Sequence, residues 1–300
     1  MDKLRAITLF SRTVDAGSFA AAAQSLDLVP SALSKTIAAL EQELDVRLFN
    51  RSTRKLSLTV EGEAYYRRCQ RVLAELEDAE ATARGGKAEA QGTLRIGLHP
   101  ALRSVVFPDI GRLLDSNRRM HVETFVTNSP AAVVERGLDV VLCIGPLPDS
   151  RLVVRRLAWA SVVVCASPDY LRRWGEPSRP QDLAAHRAII YARPDEEPNT
   201  RWEFRRGKRH EVVSVPVGMV VRDGVGLVDA GVGGGGILRP YELAAQSYVA
   251  AGRLKILLRD WSGTRQPVSA VTGSRLVPAK VRAFLEYAQA VVSGGRVTIQ

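Results

Sequence analysis

Residues 26–44, LDLVPSALSKTIAALEQEL, predict one amphipathic helix with an unusual outer face. Apolar side chains recur at steps of four, three and four and form a single stripe: Leu33, Ile37, Leu40 and Leu44. At about 100° per residue, the opposite side holds small or polar residues, namely Ser31, Ser34, Lys35, Ala38, Ala39 and Gln42. A solvated helix face usually carries charges of both signs, whereas this one carries no acid. The pattern predicts a helix that packs on one side and contacts a partner on the other.

A second helix is predicted directly before this one. Gly17 and Ser18 supply a helix breaker and an N-cap ahead of the run Phe19 to Leu26. The turn that follows ends at Pro30, in the first turn of the next helix, where a missing N–H costs nothing. Two helices joined by so short a turn predict a helix-turn-helix.

The run VRLFNRSTRKLSLT alternates like a small hairpin and carries a basic cluster at its tip. Four positive charges fall within nine residues without an acid: Arg47, Arg51, Arg54 and Lys55. Residues 1–90 as a whole hold 13 basic and 13 acidic side chains, so the net charge of +10 lies entirely in residues 91–300. The local cluster therefore indicates nucleic-acid binding better than the overall charge does.

A long helix is predicted from about Thr59, and its apolar residues recur at alternating steps of four and three: Tyr65, Cys69, Val72, Leu76, Ala79 and Ala83. Such a seam suits either a partner helix or packing against the helix's own domain. Its length, and the Arg84-Gly85-Gly86-Lys87 segment into which it leads, favour a dimerising linker.

From Gly92 onward, strand-like and helix-like runs alternate. The strand-like runs TLRIGL, HVETFVT and LDVVLCIG are separated by the helical patterns FPDIGRLL and PAAVVERG. This alternation predicts a parallel sheet with covering helices, and PAKVRAFLEYAQAVV predicts a closing amphipathic helix.

Several motifs of the chain argue against catalysis and metal binding. Cys69, Cys143 and Cys165 are too scattered for a disulfide framework or a zinc site and are expected to be buried. The glycines of residues 231–236 lack the Lys-Ser/Thr of a phosphate loop and predict a turn. Residues 205–209, RRGKR, suit either a nucleic-acid patch or a solvated hairpin tip, and their place between strand-like runs favours the tip. With no catalytic fingerprint present, no cofactor, no metal and no enzymatic activity are expected.

The first residues, MDKLRAITLF, do not form a secretory signal. The sequence also lacks a run of about 18 apolar residues that could span a membrane. A cytoplasmic protein without a membrane partner is therefore expected.

The first sixty residues resemble the N-terminal region of the LysR-type transcriptional regulators. The matching elements are GSFAAAA, SALSKTI, Leu40-Glu41, Leu48-Phe49 with Arg51, and Leu58-Thr59 with Gly62. So many elements in one order are more specific than an isolated motif. The rest of the chain resembles the family's effector-binding domain more loosely, through GTLRIG, LDVVLCIG, CASPDYL, Asp182-Leu183 and VRAFLEY.

The resemblance implies an α/β protein overall: an N-terminal winged helix-turn-helix that is mainly α, a long linker helix, and a C-terminal two-lobed α/β effector domain resembling periplasmic binding proteins. The implied DNA-binding domain spans 1–60, the linker and dimerisation helix with its hinge spans 61–90, and the effector-binding domain spans 91–300. Within the last, lobe I covers about 92–161 and 267–300, and lobe II about 162–266.

The outer helix face, its entrance and the hairpin supply the expected DNA contacts: Ser18, Pro30, Ser31, Ser34, Lys35, Arg51 and Arg54. Ser31, Ser34 and Lys35 are expected to reach phosphates or base edges in the major groove. Arg51 and Arg54 are expected to bind the backbone or minor groove. The sequence departs from the family pattern at Val29, where Ser or Thr usually precedes the proline, and at Asp45, which replaces a glycine.

Ligands of parallel α/β sheets bind at the C-terminal ends of strands. This rule selects His99 and Pro100 after the first strand and Thr127 and Asn128 after the second. The resemblance adds residues from across the cleft: Trp202, Arg222 and Asp223. His99 stands where the family often has Ser or Thr.

These observations predict a sequence-specific DNA-binding transcriptional regulator modulated by a small-molecule effector bound between two α/β lobes. The expected partners are double-stranded DNA, a second copy of the chain through residues 65–83, further copies in a tetramer as in similar regulators, an effector of unknown identity, and RNA polymerase as a further candidate. The alternative is a small-molecule receptor or enzyme built on the C-terminal domain with an accessory DNA-binding module.

Overall fold

The structure is a computed structural model that describes residues 2–50, 56–83, 89–193, 196–261 and 264–294. The chain divides into two compact units, Met1–Glu89 and Ala90–Gln300. Each unit has its own hydrophobic core.

The N-terminal unit contains four helices and a short antiparallel hairpin. Its elements are α1 Lys3–Ala16, α2 Phe19–Ser25, α3 Pro30–Leu44, β1 Phe49–Asn50, β2 Ser57–Leu58 and α4 Val60–Ala83. Their order confirms the predicted helix-turn-helix with an adjoining hairpin. Residues 51–55, which join the two strands and include Arg51 and Arg54, lie outside the described residues.

The core of this unit forms around Phe10. The Phe10 ring lies 5.4 Å from the Phe49 ring and 5.6 Å from the Tyr65 ring, so α1, the hairpin and α4 meet at one point. The predicted stripe of α3 closes the core, because Leu33, Ile37 and Leu40 are buried and Leu44 packs against them. The hydrophobic face of the predicted helix is thereby confirmed.

Local capping fixes where these helices begin and end. The Ser18 hydroxyl accepts a hydrogen bond from the Ala21 N–H at 3.1 Å, as an N-cap should. Gly17 ends α1 with a φ of 68°, a left-handed conformation that glycine adopts at little cost. Asp45 ends α3 with a φ of 53°, so a non-glycine residue occupies the left-handed C-cap there.

The hairpin is anchored to α3 and α4 by polar contacts. The Glu41 carboxylate accepts hydrogen bonds from the Leu48 N–H at 2.7 Å and the Phe49 N–H at 3.1 Å. The Thr59 hydroxyl donates to the Arg47 carbonyl at 2.7 Å and accepts from the Gly62 N–H at 2.9 Å. The hairpin base is therefore held in one position relative to α3.

The predicted seam of α4 divides into two halves. Tyr65 and Cys69 pack into the core of their own unit. This half of the seam therefore follows the second of the two predicted alternatives, packing against the helix's own domain. Val72 and Leu76 remain 49% and 37% exposed. Only the second half of the seam is therefore open to a partner helix.

The first lobe of the C-terminal unit is built on a five-stranded sheet of order β4-β3-β5-β14-β6. The elements of this lobe are β3 Gly92–Leu98, the 3-10 helix Pro100–Leu102, α5 Arg103–Val106, α6 Ile110–Ser116, β4 Met120–Val126, α7 Ala132–Glu135, β5 Val140–Ile144 and β6 Val153–Ser161. Two later elements, β14 Arg265–Thr272 and α11 Ala279–Val292, also belong to it.

The second lobe contains a five-stranded sheet of order β11-β8-β12-β7-β13 and a separate hairpin, β9-β10. The elements in chain order are β7 Val164–Ala166, α8 Pro168–Trp174, the 3-10 helix Pro180–Ala185, β8 Ala188–Tyr191, β9 Arg201–Arg206, β10 Arg209–Ser214, β11 Val217–Val221, α9 Gly224–Val232, β12 Ile237–Leu238, α10 Glu242–Ala250 and β13 Lys255–Leu257. The chain then re-enters the first lobe through β14 Arg265–Thr272 and α11 Ala279–Val292.

The sheets are mixed rather than wholly parallel, which corrects the sequence-based expectation. Strands β3, β4 and β5 are parallel, but β14 runs antiparallel to both β5 and β6. In the second lobe, β7 is antiparallel to β12 and β13. One antiparallel strand is β14, which joins the first-lobe sheet after the chain has passed through the second lobe. The hydrophobic pattern of a strand does not reveal the direction in which it runs.

Two further sequence predictions concern turns, and both are confirmed. The glycines after Val232 join α9 to β12, and the run at 205–209 forms the tip of the β9-β10 hairpin, with Gly207 at a φ of 58°. The predicted closing helix is α11, whose Phe284, Tyr287 and Ala288 are buried in the first lobe. No helix in the described part of the chain is long and apolar enough to cross a membrane.

Candidate DNA-reading helix and effector cleft

The outer face of α3 is open along its length. Ser31, Ser34 and Lys35 are exposed on the side opposite the buried stripe, and so are Ala38 and Ala39. The small alanines leave the helix backbone approachable, and the single charge on this face is positive. Such a surface suits close contact with a polyanion.

The entrance to α3 lacks a side-chain cap. Val29 occupies the N-cap position, is 65% exposed and offers no hydrogen-bonding side chain, while its carbonyl accepts from the Leu33 N–H at 3.2 Å. Pro30 follows at the first helical position. Pro30 has no N–H and the Ala32 N–H donates to the Val29 carbonyl at 2.9 Å, so the Ser31 N–H is the group left to solvent or to a bound anion.

In the C-terminal unit, the ends of two parallel strands bring predicted site residues to one edge. Leu98 of β3 and Val126 of β4 are paired in register, so the segments after them start side by side. His99 and Pro100 continue from β3, and the Thr127 N–H donates to the Leu98 carbonyl at 3.2 Å.

His99 has a defined tautomer and charge. Its Nδ1 accepts a hydrogen bond from the Ala101 N–H at 3.1 Å, so the ring proton resides on Nε2. Burial, together with the positive charge of Arg193, lowers the pKa of His99 from 6.5 to about 4. His99 is therefore neutral at physiological pH, and its Nε2–H is fixed as a donor.

Sequence reasoning missed two residues that act on His99, Tyr241 and Arg193, and a third, Tyr191, that acts on Tyr241. The Tyr241 ring meets the His99 ring edge to face, with centroids 5.6 Å apart. Burial raises the pKa of Tyr241, and Tyr191 raises it as well, whereas the positive charge of Arg193 lowers it. Tyr191 ends β8 and Tyr241 follows β12 by three residues, so the strand-end rule used for His99 could have found them.

The two lobes approach each other at the start of α9. A Cβ atom on Gly224 would lie 3.4 Å from the Pro100 side chain. Asp223 caps α9, with its carboxylate accepting from the Gly226 N–H at 2.6 Å. Pro100 and Gly224, next to Asp223, therefore mark a place where the two lobes meet.

The remaining predicted effector residues have structural partners. Both amide atoms of Asn128 bond the backbone of Ile144, at 2.9 and 3.0 Å, and so tie the segment after β4 to β5. The Thr127 hydroxyl accepts from the Ser129 N–H at 3.0 Å. The Arg222 guanidinium donates to the Glu196 carbonyl at 2.9 Å and also to the Arg193 carbonyl.

Trp202 is the one predicted effector residue that the fold buries away from His99. It is 4% exposed in the core of the second lobe, its indole N–H donates to the Asn199 carbonyl at 3.2 Å, and Arg239 covers its ring at 5.3 Å. The alternation of β9 explains this placement, because Trp202 and Phe204 both point inward from the hairpin.

The described residues show neither a cluster arranged to bind a metal ion nor an exposed cysteine thiol. No cluster of three or more His, Cys, Asp or Glu side chains in them is arranged to hold a metal ion. The three cysteines are free and buried, and burial raises the pKa of Cys143 to about 11 and that of Cys165 to about 12. These thiols are inert at neutral pH.

A helix-turn-helix with an open outer face, joined in one chain to a two-lobed α/β unit, defines a DNA-binding regulator that carries a ligand-binding domain. Comparison with family models agrees: residues 4–63 match the bacterial regulatory helix-turn-helix protein of the lysR family, and residues 87–293 match the LysR substrate binding domain. The chain belongs to the LysR family of transcriptional regulators.

Similar proteins match along most of their length. An HTH-type transcriptional repressor of Pseudomonas aeruginosa is 34% identical over 96% of this chain and 91% of its own. The HTH-type transcriptional activator AaeR of Escherichia coli is 34% identical over 95% of this chain and 92% of its own. The structure of CrgA, a LysR-type transcriptional regulator from Neisseria meningitidis, matches with a TM-score of 0.61 and 28% identity, covering 95% of this chain and 97% of that one. The chain is accordingly a DNA-binding transcriptional regulator with an effector-binding domain.

Proposed function

We propose that this regulator reads DNA with the outer face of α3, through Ser31, Ser34 and Lys35. The observation that carries the proposal is the division of α3 into a buried apolar face and an exposed face without acids. Lys35 supplies a charge for a phosphate or a guanine edge, and the serines supply hydroxyls for either.

Four further residues complete the proposed DNA-binding surface. Pro30 shapes the uncapped start of α3, where the Ser31 N–H suits a phosphate, and Ser18 holds α2 in place. Arg51 and Arg54, which lie outside the described residues, remain predicted backbone or minor-groove contacts. The domain boundaries proposed with them are 1–60, 61–90 and 91–300.

A mobility-shift titration with the DNA upstream of the protein's own gene tests these contacts. Lys35→Ala should weaken binding by on the order of tenfold, as expected for loss of a direct contact of about 1–3 kcal/mol. Gln42→Ala, on the same face but about two turns further along, serves as the matched control. Wild-type affinity of a folded Lys35→Ala protein would contradict the assignment.

The effector is proposed to be an organic carboxylate bound in the cleft beside His99. His99 Nε2–H has no hydrogen-bond partner among the described residues and is a neutral donor. Arg193 adds a positive charge whose ion pair with Glu196, at 2.9 Å, is exposed and exchangeable. Pro100, Thr127 and Asp223 line the same cleft.

The other predicted effector residues are assigned supporting roles. Asn128 and Arg222 hold the segments that carry Thr127 and Arg193, and Trp202 stabilises the core of the second lobe. Thermal shifts with benzoate and with its uncharged analogue benzamide test the assignment. Benzoate should stabilise the protein and benzamide should not, and Arg193→Gln should abolish the difference. Equal shifts with both compounds would exclude the carboxylate.

The regulator is further proposed to be a cytoplasmic homodimer, assembling to a tetramer. Of the predicted seam over residues 65–83, the part from Val72 onward is proposed to form the contact, because Tyr65 and Cys69 are packed in their own unit. The exposed apolar pair Val72 and Leu76 on α4 supports a helix–helix contact. Light scattering should show a smaller assembly for Leu76→Glu and an unchanged one for Leu76→Met, which keeps the apolar side chain. RNA polymerase is the proposed partner in transcription, and no catalytic activity is proposed.

A further inference from the structure

The tip of the β9-β10 hairpin places several positively charged side chains close together, and these exposed side chains take no part in the packing of the core. Residues 205–210 are all exposed, and the strand register places Arg206 opposite Arg209 and Arg205 opposite His210. Lys208 lies in the turn between them. Like charges directly opposite each other destabilise a β ribbon, so this arrangement acts against the stability of the hairpin.

Two exposed contacts with acids involve residues of the tip. Arg206 lies 3.4 Å from the Asp260 carboxylate, and His210 lies 3.5 Å from the Glu203 carboxylate. All four side chains are largely exposed, so solvent screens both pairs. Residues 205–209 themselves contain four cations and no acid. The tip is therefore a concentrated positive surface.

The hairpin also holds this surface in a fixed position. Trp202, Phe204 and Val213 are buried in the core of the second lobe, while the ribbon pairs with no other strand of the described chain. These buried residues, and the hydrogen bond that the Gln181 amide donates to the Glu211 carboxylate, hold the ribbon against the second lobe, while its tip stays exposed.

The distribution of charge indicates what this element binds. Residues 1–90, which include the whole helix-turn-helix, have equal numbers of basic and acidic side chains, and the excess of +10 belongs to residues 91–300. Affinity for duplex DNA depends on the number of phosphates that basic side chains neutralise. In this chain the C-terminal unit holds most of the cations available for that purpose.

We propose that the basic hairpin tip, residues 205–209, binds the phosphate backbone of the DNA duplex on which the regulator is seated. This inference rests on the proposed reading of DNA by α3. The partner is duplex DNA because attachment through α3 places phosphates at high local concentration around the rest of the chain. Contacts of this kind add affinity and fix orientation without reading sequence.

The test uses the full-length protein and fluorescence anisotropy across a salt series. The DNA is a duplex carrying the recognised sequence, extended by several helical turns on each side. Neutralising the tip as Arg205→Gln, Arg206→Gln, Lys208→Gln and Arg209→Gln should reduce the slope of log affinity against log salt by roughly 0.9 for each phosphate that is no longer neutralised. Affinity at low salt should fall on the order of tenfold. Preference for the recognised sequence over a scrambled one should stay unchanged.

Two matched variants control for net charge and for folding. Neutralising four exposed arginines of the first lobe, Arg118, Arg136, Arg151 and Arg155, changes the net charge equally and should leave the salt slope as in the wild type. Replacing Arg205, Arg206 and Arg209 by lysine keeps the charge and should keep the slope. The glutamine variant should melt no lower than the wild type, because it removes the repulsion within the ribbon.

Either of two results overturns the inference. An unchanged salt slope in the glutamine variant would mean that the tip does not touch DNA, as expected if it docks an acidic protein instead. An equal loss in the first-lobe variant would mean that bulk charge is responsible. Failure of the proposed DNA reading by α3 gives a different result: the Lys35→Ala variant would keep its preference for the recognised sequence over the scrambled one.

Discussion

Lys280 Nζ lies 3.0 Å from Asp139 Oδ2, and the two side chains are only 12% and 7% exposed. The same Asp139 oxygen accepts from the Arg95 N–H at 2.8 Å, and Lys280 also donates to the Thr93 carbonyl. This ion pair therefore joins α11, which ends the domain, to the beginnings of β3 and β5 in the first lobe. The hydrogen bonds around it satisfy charges that would otherwise be costly to bury.

Breaking this pair should destabilise the C-terminal unit strongly. Lys280→Met removes the cation and leaves the Asp139 carboxylate buried without its partner, so the free energy of unfolding should drop by about 3–5 kcal/mol. Urea unfolding followed by tryptophan fluorescence measures the change. The double variant Lys280→Met with Asp139→Asn should recover much of the loss, and a double variant as unstable as the single one would contradict the role given to the unpaired carboxylate.

Gly62 is expected to tolerate no side chain. A Cβ atom there would lie 2.0 Å from the Leu48 carbonyl oxygen, and this neighbour is backbone fixed by the Thr59 N–H at 3.0 Å. Gly62→Ala should therefore displace the hairpin from α4, lower the melting temperature of the N-terminal unit and weaken DNA binding.

The matched control is Gly111→Ala in α6, where a Cβ atom would meet nothing within 4 Å. Alanine at that helical position should stabilise the protein by about 0.5–1 kcal/mol. Equal melting temperatures for the Gly62 and Gly111 variants would show that the close approach to Leu48 is not a constraint.

The sequence predicted the elements that depend on local pattern. The stripe of Leu33 and Ile37 is a periodic signal, and the Ser18 cap is set by residues within one turn, so both follow from neighbouring residues alone. The cleft was predicted only in part. His99 follows from the end of one strand, but its contact with Tyr241 joins segments more than a hundred residues apart, and no local pattern specifies that meeting.

A second difference between prediction and structure concerns α4, and packing between residues distant in sequence explains it. The even apolar spacing of α4 suggested one continuous seam, yet the core around Phe10 takes Tyr65 and Cys69 and leaves Val72 and Leu76 outside. A heptad pattern identifies which residues share a face. Whether that face meets its own domain or another chain depends on where the core ends.

The depressed pKa of His99 should make stability depend on pH. In the unfolded chain His99 takes up a proton as the pH falls through 6.5, whereas in the folded protein it does so only near 4. The stabilising contribution is therefore complete above 6.5 and is lost as the pH falls toward 4, with a total of about 3 kcal/mol.

Urea unfolding between about pH 8 and about pH 5 checks this dependence against His99→Asn. The asparagine oxygen still accepts the Ala101 N–H but does not titrate. The wild type should lose stability relative to the variant as the pH falls, since His186, whose pKa burial also lowers, contributes equally to both. Parallel curves for the two proteins would show that His99 keeps an ordinary pKa.

Supplying the missing cap of α3 should strengthen the reading helix. Val29 already has the extended backbone of an N-cap, with a φ of −76° and a ψ of 132°, but its side chain cannot accept a hydrogen bond. Val29→Ser should add about 1 kcal/mol to the free energy of unfolding of the N-terminal unit. Its hydroxyl should also raise DNA affinity, because a hydroxyl at the start of α3 can donate a hydrogen bond to a phosphate. Val29→Ala removes the same branched side chain without adding an acceptor, so a gain of equal size in the alanine variant would rule out capping as the cause.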